Sequence, residues 1–317
     1  MKENPSSASQ TGLRLAACVL GIAAFAYGQA ATNAPAGAPP AQAAPHETIV
    51  PLAPPNVYLA SGSTGSNNGI ILGDDGVIVV DTGVSASSEK VEMEELSKIT
   101  PKPVTTAIVT HSDGDHVNGL AVLPTGITII SQESCKKEME AAQNAPPQNA
   151  QQASAPKPPL PTRTVAMKDA ATIGGVQFEF LHAAPAHTSG DLVVYLPSQK
   201  IVFTGDIIAD NSPYPIIHME KNGSSEGWIQ TVEAIVALDA NTFVPGHGVV
   251  HTKVDIEQRL ATVKARRAQI QALVAQGKSL DEIKQELGET AAPAPGGRGP
   301  RFPSFTEVVY RELTKAS

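Results

Sequence analysis

Thr110-His111-Ser112-Asp113-Gly114-Asp115-His116 sets two imidazoles and two carboxylates close together in a short stretch of chain. The stretch follows Thr106-Ala107-Ile108-Val109-Thr110, whose apolar character predicts a buried strand. Ionisable groups crowded at one strand end repel one another or lose hydration unless positive charge sits among them. A pair of divalent metal ions meets that need. His187, Asp206 and His247 then arrive one at a time, each in a similar setting of apolar run and glycine turn.

Working outward, 56–60, 69–72 and 77–80 read as strands, the last two joined as a hairpin through Gly73-Asp74-Asp75-Gly76. That glycine turn precedes no helix, so it is not a phosphate cradle. The spacing of Val91, Met93, Leu96 and Ile99 predicts a helix over 85–99 that Pro101 stops. Further strands are expected at 127–130, 164–165, 171–173, 176–180, 192–196, 200–203 and 242–244. Helices are expected at 226–238, 255–275, 280–287 and 305–315, and one around Cys135. Strand runs alternating with long helices indicate a layered α/β protein.

The five motifs together resemble the metallo-β-lactamase superfamily. Thr-His-x-Asp-x-Asp-His is similar to that family's His-x-His-x-Asp-His signature. Asp81-Thr82-Gly83, Ala186-His187-Thr188-Ser189-Gly190-Asp191, Phe203-Thr204-Gly205-Asp206 and Pro245-Gly246-His247-Gly248 match its other segments, in order, across about residues 56 to 250. The resemblance implies a four-layered αβ/βα sandwich with a shallow metal site along one edge. It implies one metal held by His111, His187 and the residue at 113, a second held by Asp115, His116 and His247, and Asp206 bridging both. Asp81 and Asp191 are expected behind the ligands, orienting them.

Asp113 stands where the family has histidine. A carboxylate there adds negative charge and a hard oxygen, which favours manganese or iron relative to a histidine-rich zinc site. Two divalent ions are therefore expected, zinc first, with manganese or iron admitted by Asp113. The lactamase subclasses with a cysteine ligand have no counterpart, because Asp206 occupies the bridging turn.

Other polar residues carry plainer expectations. His182 and His251 are expected at the surface or supporting the ligands, and His46 in solvent. His218, with Tyr214 and Asn211, lies either along a substrate pocket or in an ordinary loop. Trp228 is expected to pack a helix. Arg259, Lys264, Arg266 and Arg267 read as a solvated helix face. The Ser61–Asn68 loop is placed to lie over the site and help choose substrates.

The ends of the chain read differently from its middle. Lys2 and Arg14 precede an apolar run from Leu15 to Tyr27 and small residues through Ala30, the pattern of a signal peptide over 1–30. Export to the periplasm or medium follows, with no stable membrane insertion after cleavage. Lipidation at Cys18 is disfavoured, because the apolar run lies mostly after it. Residues 31–47 form an Ala/Pro-rich spacer, 48–290 the metallo-β-lactamase-like domain with a Pro-rich inserted loop at 143–162, and 291–317 a Pro/Gly tract with a C-terminal helix. Cleavage would leave Cys135 as the only cysteine of the two in the chain, a packed thiol with no disulfide partner. The 23 basic and 31 acidic residues, net charge -8, argue against nucleic acid as partner and leave a small-molecule substrate. Nothing in the sequence fixes an oligomeric state.

The leading functional expectation is hydrolysis by a metal-bound hydroxide, of a lactam-like amide or lactone, or of a thioester. Metal coordination lowers water's pKa from about 15.7 toward ~7, and Asp115 is the expected catalytic group that holds the nucleophile and moves its proton. A di-iron or mono-iron oxidoreductase and a non-catalytic metal-binding protein are the alternatives. No Gly-x-Ser-x-Gly elbow is present, so no serine nucleophile competes.

Overall fold

The computed structural model describes residues 46–53, 55–147, 150–289 and 302–315. Residues 1–30, where a signal peptide is expected, nearly all of the expected spacer and most of the Pro/Gly tract lie outside the described residues. The first half runs β1 (Glu47–Ala53), β2 (Val57–Gly62), β3 (Asn68–Leu72), β4 (Val77–Val80), α1 (Ala86–Ser97), β5 (Val104–Ile108), α2 (Gly114–Val117), β6 (Thr128–Gln132), α3 (Glu133–Asn144), α4 (Ala150–Ser154) and β7 (Arg163–Val165). The second half runs β8 (Lys168–Ile173), β9 (Val176–Leu181), β10 (Val193–Leu196), β11 (Ile201–Phe203), α5 (Ser225–Val236), β12 (Thr242–Val244), α6 (Lys253–Ala275), α7 (Leu280–Glu286) and α8 (Phe305–Thr314).

The strands form two sheets, β1 to β7 in sequential order and β12-β11-β10-β9-β8. Pairing is antiparallel through β4, then parallel along β4-β5-β6-β7. In the second sheet only β11 and β12 are parallel. Parallel strands need both faces covered, and the apolar residues divide accordingly. Ile71, Ile78, Ile108, Phe178, Phe180 and Phe203 meet between the sheets. Leu96, Leu120, Cys135 and Met139 cover the outer face of the first sheet. Trp228, Val232, Ile256, Val263 and Val308 cover that of the second. The result is the expected αβ/βα sandwich. Among the described residues no helix is long and apolar enough to cross a membrane.

Departures from the sequence expectations have local causes. Strand β1, which contains Pro51, is not among the strands expected from the sequence. It pairs only with β2 at the sheet edge, where proline is tolerated. Strand β5 ends at Ile108, short of Thr110, because the Thr110 amide is captured by the Asp81 carboxylate at 2.7 Å. The Pro-rich stretch at 143–162 is not a free loop. It contains α4 and ties back to α3, Gln143 donating to the Pro158 carbonyl at 2.7 Å and Lys157 to the Gln143 carbonyl at 2.8 Å.

The basic face of α6 is also not simply solvated. Arg259 donates to Asp210 at 3.2 Å, Arg267 pairs with Glu226 at 2.7 Å, and Arg266 lies over the Tyr214 ring. These arginines fasten α6 to the elements that cover it. Cys135 is fully buried, and burial pushes its thiol up, so it is inert packing.

Candidate metal centre

The parallel strands of both sheets end at one edge, and the loops that leave them carry the polar residues, as open α/β sheets favour. His111 to His116 occupy the loop and short helix after β5. His187 lies between β9 and β10, Asp206 in the turn after β11, and His247 in the turn after β12. All seven expected side chains converge. Three groups have ligand atoms within 4.8 Å of one another: His111, Asp113 and His187; Asp115, His116 and His247; and His111, His116 and Asp206.

Each imidazole of the inner set spends one nitrogen on the protein and turns the other inward. His116 Nδ1 lies 2.9 Å from Asp81, His187 Nδ1 2.8 Å from the Ile216 carbonyl, and His111 Nδ1 3.0 Å from the Thr110 hydroxyl. The inward Nε2 atoms of His111 and His116, and Asp206 Oδ1, are buried without a hydrogen-bond partner. Buried polar atoms rarely go unpaired, so three aimed at one place point to an occupant that accepts lone pairs.

The spacing fits metal ions. A tetrahedron with bonds of about 2.0–2.1 Å has edges of roughly 3.3–3.5 Å. Asp206 Oδ1 is 3.4 Å from both His116 Nε2 and His247 Nε2, and His247 Nε2 is 3.1 Å from Asp115 Oδ2. On the other side His187 Nε2 is 3.3 Å from Asp113 Oδ2, and His111 Nε2 is 3.7 Å from it. Asp206 Oδ2 lies 3.9 Å from His187 Nε2, so its two oxygens face the two groups separately.

The backbone around these residues allows nothing larger. Gly205 adopts φ 51°, and a Cβ on Gly246 would stand 1.9 Å from Asp206 Oδ1. Glycine is required at both positions. Asp81 is itself held at φ 61°, accepting from Thr110 and facing His116. It positions His116 and stays outside the three groups. Asp191 accepts from the Thr188 amide and hydroxyl and the Ala186 amide, closing the loop that carries His187.

Without a cation the groups neutralise one another. Burial pushes the Asp206 carboxyl up, but the His116 charge beside it holds it well below the carboxylate range. Burial likewise opposes the charged form of Asp113, and the imidazoles of His111 and His187 with the Lys221 ammonium overcome it. Burial lowers His187, yet Asp113 and Asp206 raise it to about 9. Contacts with Asp115 and Asp206 raise His247 to about 10.

Several residues gathered here had no sequence motif. Lys221 pairs directly with Asp113 Oδ1 and reaches the Ser112 hydroxyl at 2.9 Å. His218 is buried, its Nε2 3.5 Å from Asp113 Oδ2, its ring between His187 and Phe302 at centroid distances of 4.5 and 4.2 Å. Phe302 comes from the C-terminal segment. These residues, with Asn211, Ile216 and Glu220, line an open cleft of about 500 Å³ over the site. His218 and Asn211 therefore belong to the pocket, whereas Tyr214 stacks on Phe305 instead. His182 is buried, bonded to the Asp191 carbonyl at 2.8 Å, and His251 pairs with Asp210.

The Ser61–Asn68 loop does not lie free over the cleft. Ser66 donates to the Asp115 carbonyl at 2.8 Å, and Asn67 donates to the carbonyls of Pro245 and Gly248. Thr64, Ser66 and Asn67 are buried. The loop buttresses the turns that present Asp115 and His247.

A family model described as Metallo-beta-lactamase superfamily matches residues 62–247. The chain belongs to that superfamily. Among curated members it is similar to the 2,4-dinitroanisole O-demethylase subunit alpha of Nocardioides sp., 27% identical over 56% of this chain and 51% of that protein. It is also similar to the linear primary-alkylsulfatase of Pseudomonas sp., 23% identical over 55% of this chain and 40% of the other. The chain thus spans about half or less of the length of these two relatives. A metallo-beta-lactamase type 2 of Bacillus cereus is 25% identical over 60% of this chain and 70% of its own. Among solved structures, a metallo-beta-lactamase from Pontibacter korlensis superposes with TM-score 0.57 at 21% identity, covering 69% of this chain and 99% of that one. A double mutant of the sec-alkyl sulfatase PisA1 gives TM-score 0.66 at 16% identity, covering 85% and 50%. Both share the metallo-beta-lactamase fold.

Proposed function

We propose that this protein is a metal-dependent hydrolase of small molecules, with His111, Asp113 and His187 holding one divalent cation and Asp115, His116 and His247 a second, Asp206 shared between them. The observation that carries this reading is the inward convergence of the buried, unpartnered His111 Nε2, His116 Nε2 and Asp206 Oδ1. Cations bound there supply Lewis acidity, making water acidic enough to ionise near neutral pH and offsetting negative charge on the substrate.

The chain supplies the rest. Asp115 is the least buried of the carboxylates in the groups, and its Oδ2 lies 3.1 Å from His247 Nε2. That carboxylate is placed to receive a proton and pass it to the leaving group. The cleft of about 500 Å³ is of a size that admits a small molecule. Lactam or lactone cleavage is the preferred chemistry, thioester cleavage the next. Zinc is the expected metal, and export through the signal-like residues 1–30 is the expected location.

The related proteins carry names for O-demethylase, alkylsulfatase and β-lactamase activities. The test therefore spans bond types: a chromogenic cephalosporin, a lactone, a thioester and an alkyl sulfate, each with zinc, manganese and iron. Hydrolysis of at least one, lost on adding chelator, is expected. Inactivity on all four with every metal would overturn the hydrolase reading. The Asp113 oxygen is the one observation favouring the iron redox alternative, and bound iron with visible absorption in the purified protein would establish it.

A further inference from the structure

We propose that Lys221 is a positioning residue that converts Asp113 into the equivalent of a neutral ligand: the Asp113–Lys221 ion pair, rather than a bare carboxylate, faces His111 and His187 in the first group. This rests on the two-cation reading above. Asp113 Oδ2 faces His187 and His111 at 3.3 and 3.7 Å, while Oδ1 is taken by the Lys221 ammonium. One oxygen faces the histidines of the first group and the other is paired with the ammonium.

Lys221 is held in that pose from several directions. Its Nζ contacts the Ser112 hydroxyl at 2.9 Å, and Ser112 donates to Glu138 Oε2 at 2.5 Å. Ser189 donates its hydroxyl to Glu138 Oε1 and its amide to the Lys221 carbonyl, both at 2.8 Å. Asn222, with φ 55°, and Gly223, packed on the His187 carbonyl, end the turn that presents Lys221. The lysine is thus wired to the same loops that carry His187 and Asp113. An ammonium directly against Asp113 offsets the charge by which aspartate differs from histidine. The donor set then has the net charge of a site with two carboxylates rather than three.

The pairing gives signed expectations. Zinc affinity of the metal-stripped full-length protein is measured by competition with a chromophoric chelator. Lys221→Met leaves the added negative charge uncompensated, so the first-group zinc tightens by about tenfold or more. Asp113→His leaves an unpaired ammonium beside the cations and weakens it by about tenfold. The double variant returns to within about threefold of wild type, and Lys221→Arg keeps the wild-type affinity. Lys221→Gln, which retains a hydrogen bond to Ser112, gives the same sign as Lys221→Met should that variant fold poorly. Weakened or unchanged zinc in both neutral Lys221 variants would overturn the proposal, as would an Asp113→His effect that is independent of residue 221. Wild-type protein that takes up no zinc would overturn the two-cation reading itself, and this proposal with it.

Discussion

His187 and His247 show what individual residues must give up for a cation to bind. In the metal-free protein they are raised to about 9 and about 10 by the carboxylates around them. Both hold protons at neutral pH, and a metal ligand must release its proton. Zinc binding at pH 7 is therefore expected to eject more than one proton per chain, and affinity is expected to rise with pH up to that range. Titration calorimetry in buffers of different ionisation heat reads this directly; a heat independent of the buffer would contradict it. The sign for stability is the opposite. Raised histidines stabilise the metal-free fold fully below about 6.5, and that contribution is lost as pH climbs through 9 to 10. All seven side chains of the groups were legible in the sequence, because each sits in a short motif beside a strand. Lys221 was not. Its role depends on a turn folding back from a distant part of the chain, and Met219-Glu220-Lys221-Asn222 carries no pattern of its own.

Among the elements, α1 shows a cost not visible in its helical spacing. Glu89 and Glu92 are fully buried, and each has an oxygen with no partner. Glu89 accepts from the Gly83 amide at 2.8 Å, and so anchors the Asp81-Thr82-Gly83 turn behind His116. Glu92 accepts from Asn68 at 2.6 Å, at the start of β3. Burial raises Glu89 to about 7, and burial with the Glu89 charge raises Glu92 well above its usual range. Such groups fold without penalty below about 4.5 and withdraw stability as pH rises through their raised values. Glu92→Gln is expected to raise the thermal midpoint at neutral pH and above, and to flatten its decline as pH rises beyond about 4.5. An unchanged decline would show that these carboxylates do not set it. Periodicity located α1 but gave no hint of this, since a glutamate reads as polar wherever the helix turns it. The Ser61–Asn68 loop was misread for a related reason. Gly, Ser and Asn suggest a free surface segment, while in the fold their side chains are consumed bracing Asp115 and the His247 turn.

For the molecule as a whole, layer order and sheet content followed from the alternation of strands and helices, and the matched segment at 62–247 contains every residue of the three groups. The cleft, however, is finished from outside that segment. Helix α8 packs on α5 and α6, and the chain just before it brings Phe302 against His218 at 4.2 Å. No sequence pattern joins 302 to 218, because only tertiary packing makes them neighbours. Phe302 and Ile216 are the apolar side chains in the lining of the cleft. Phe302→Ala is expected to raise KM about tenfold or more for substrates with an apolar group, with little change in kcat. Equal loss for polar and apolar substrates would assign Phe302 to packing alone. One experiment bears on the entire arrangement. Elemental analysis of the full-length protein, loaded with zinc and then dialysed, is expected to show two zinc ions per chain, falling to about one when Asp115 and His247 are both replaced by alanine. A wild-type protein that retains no metal, or a variant that still retains two, would contradict the account.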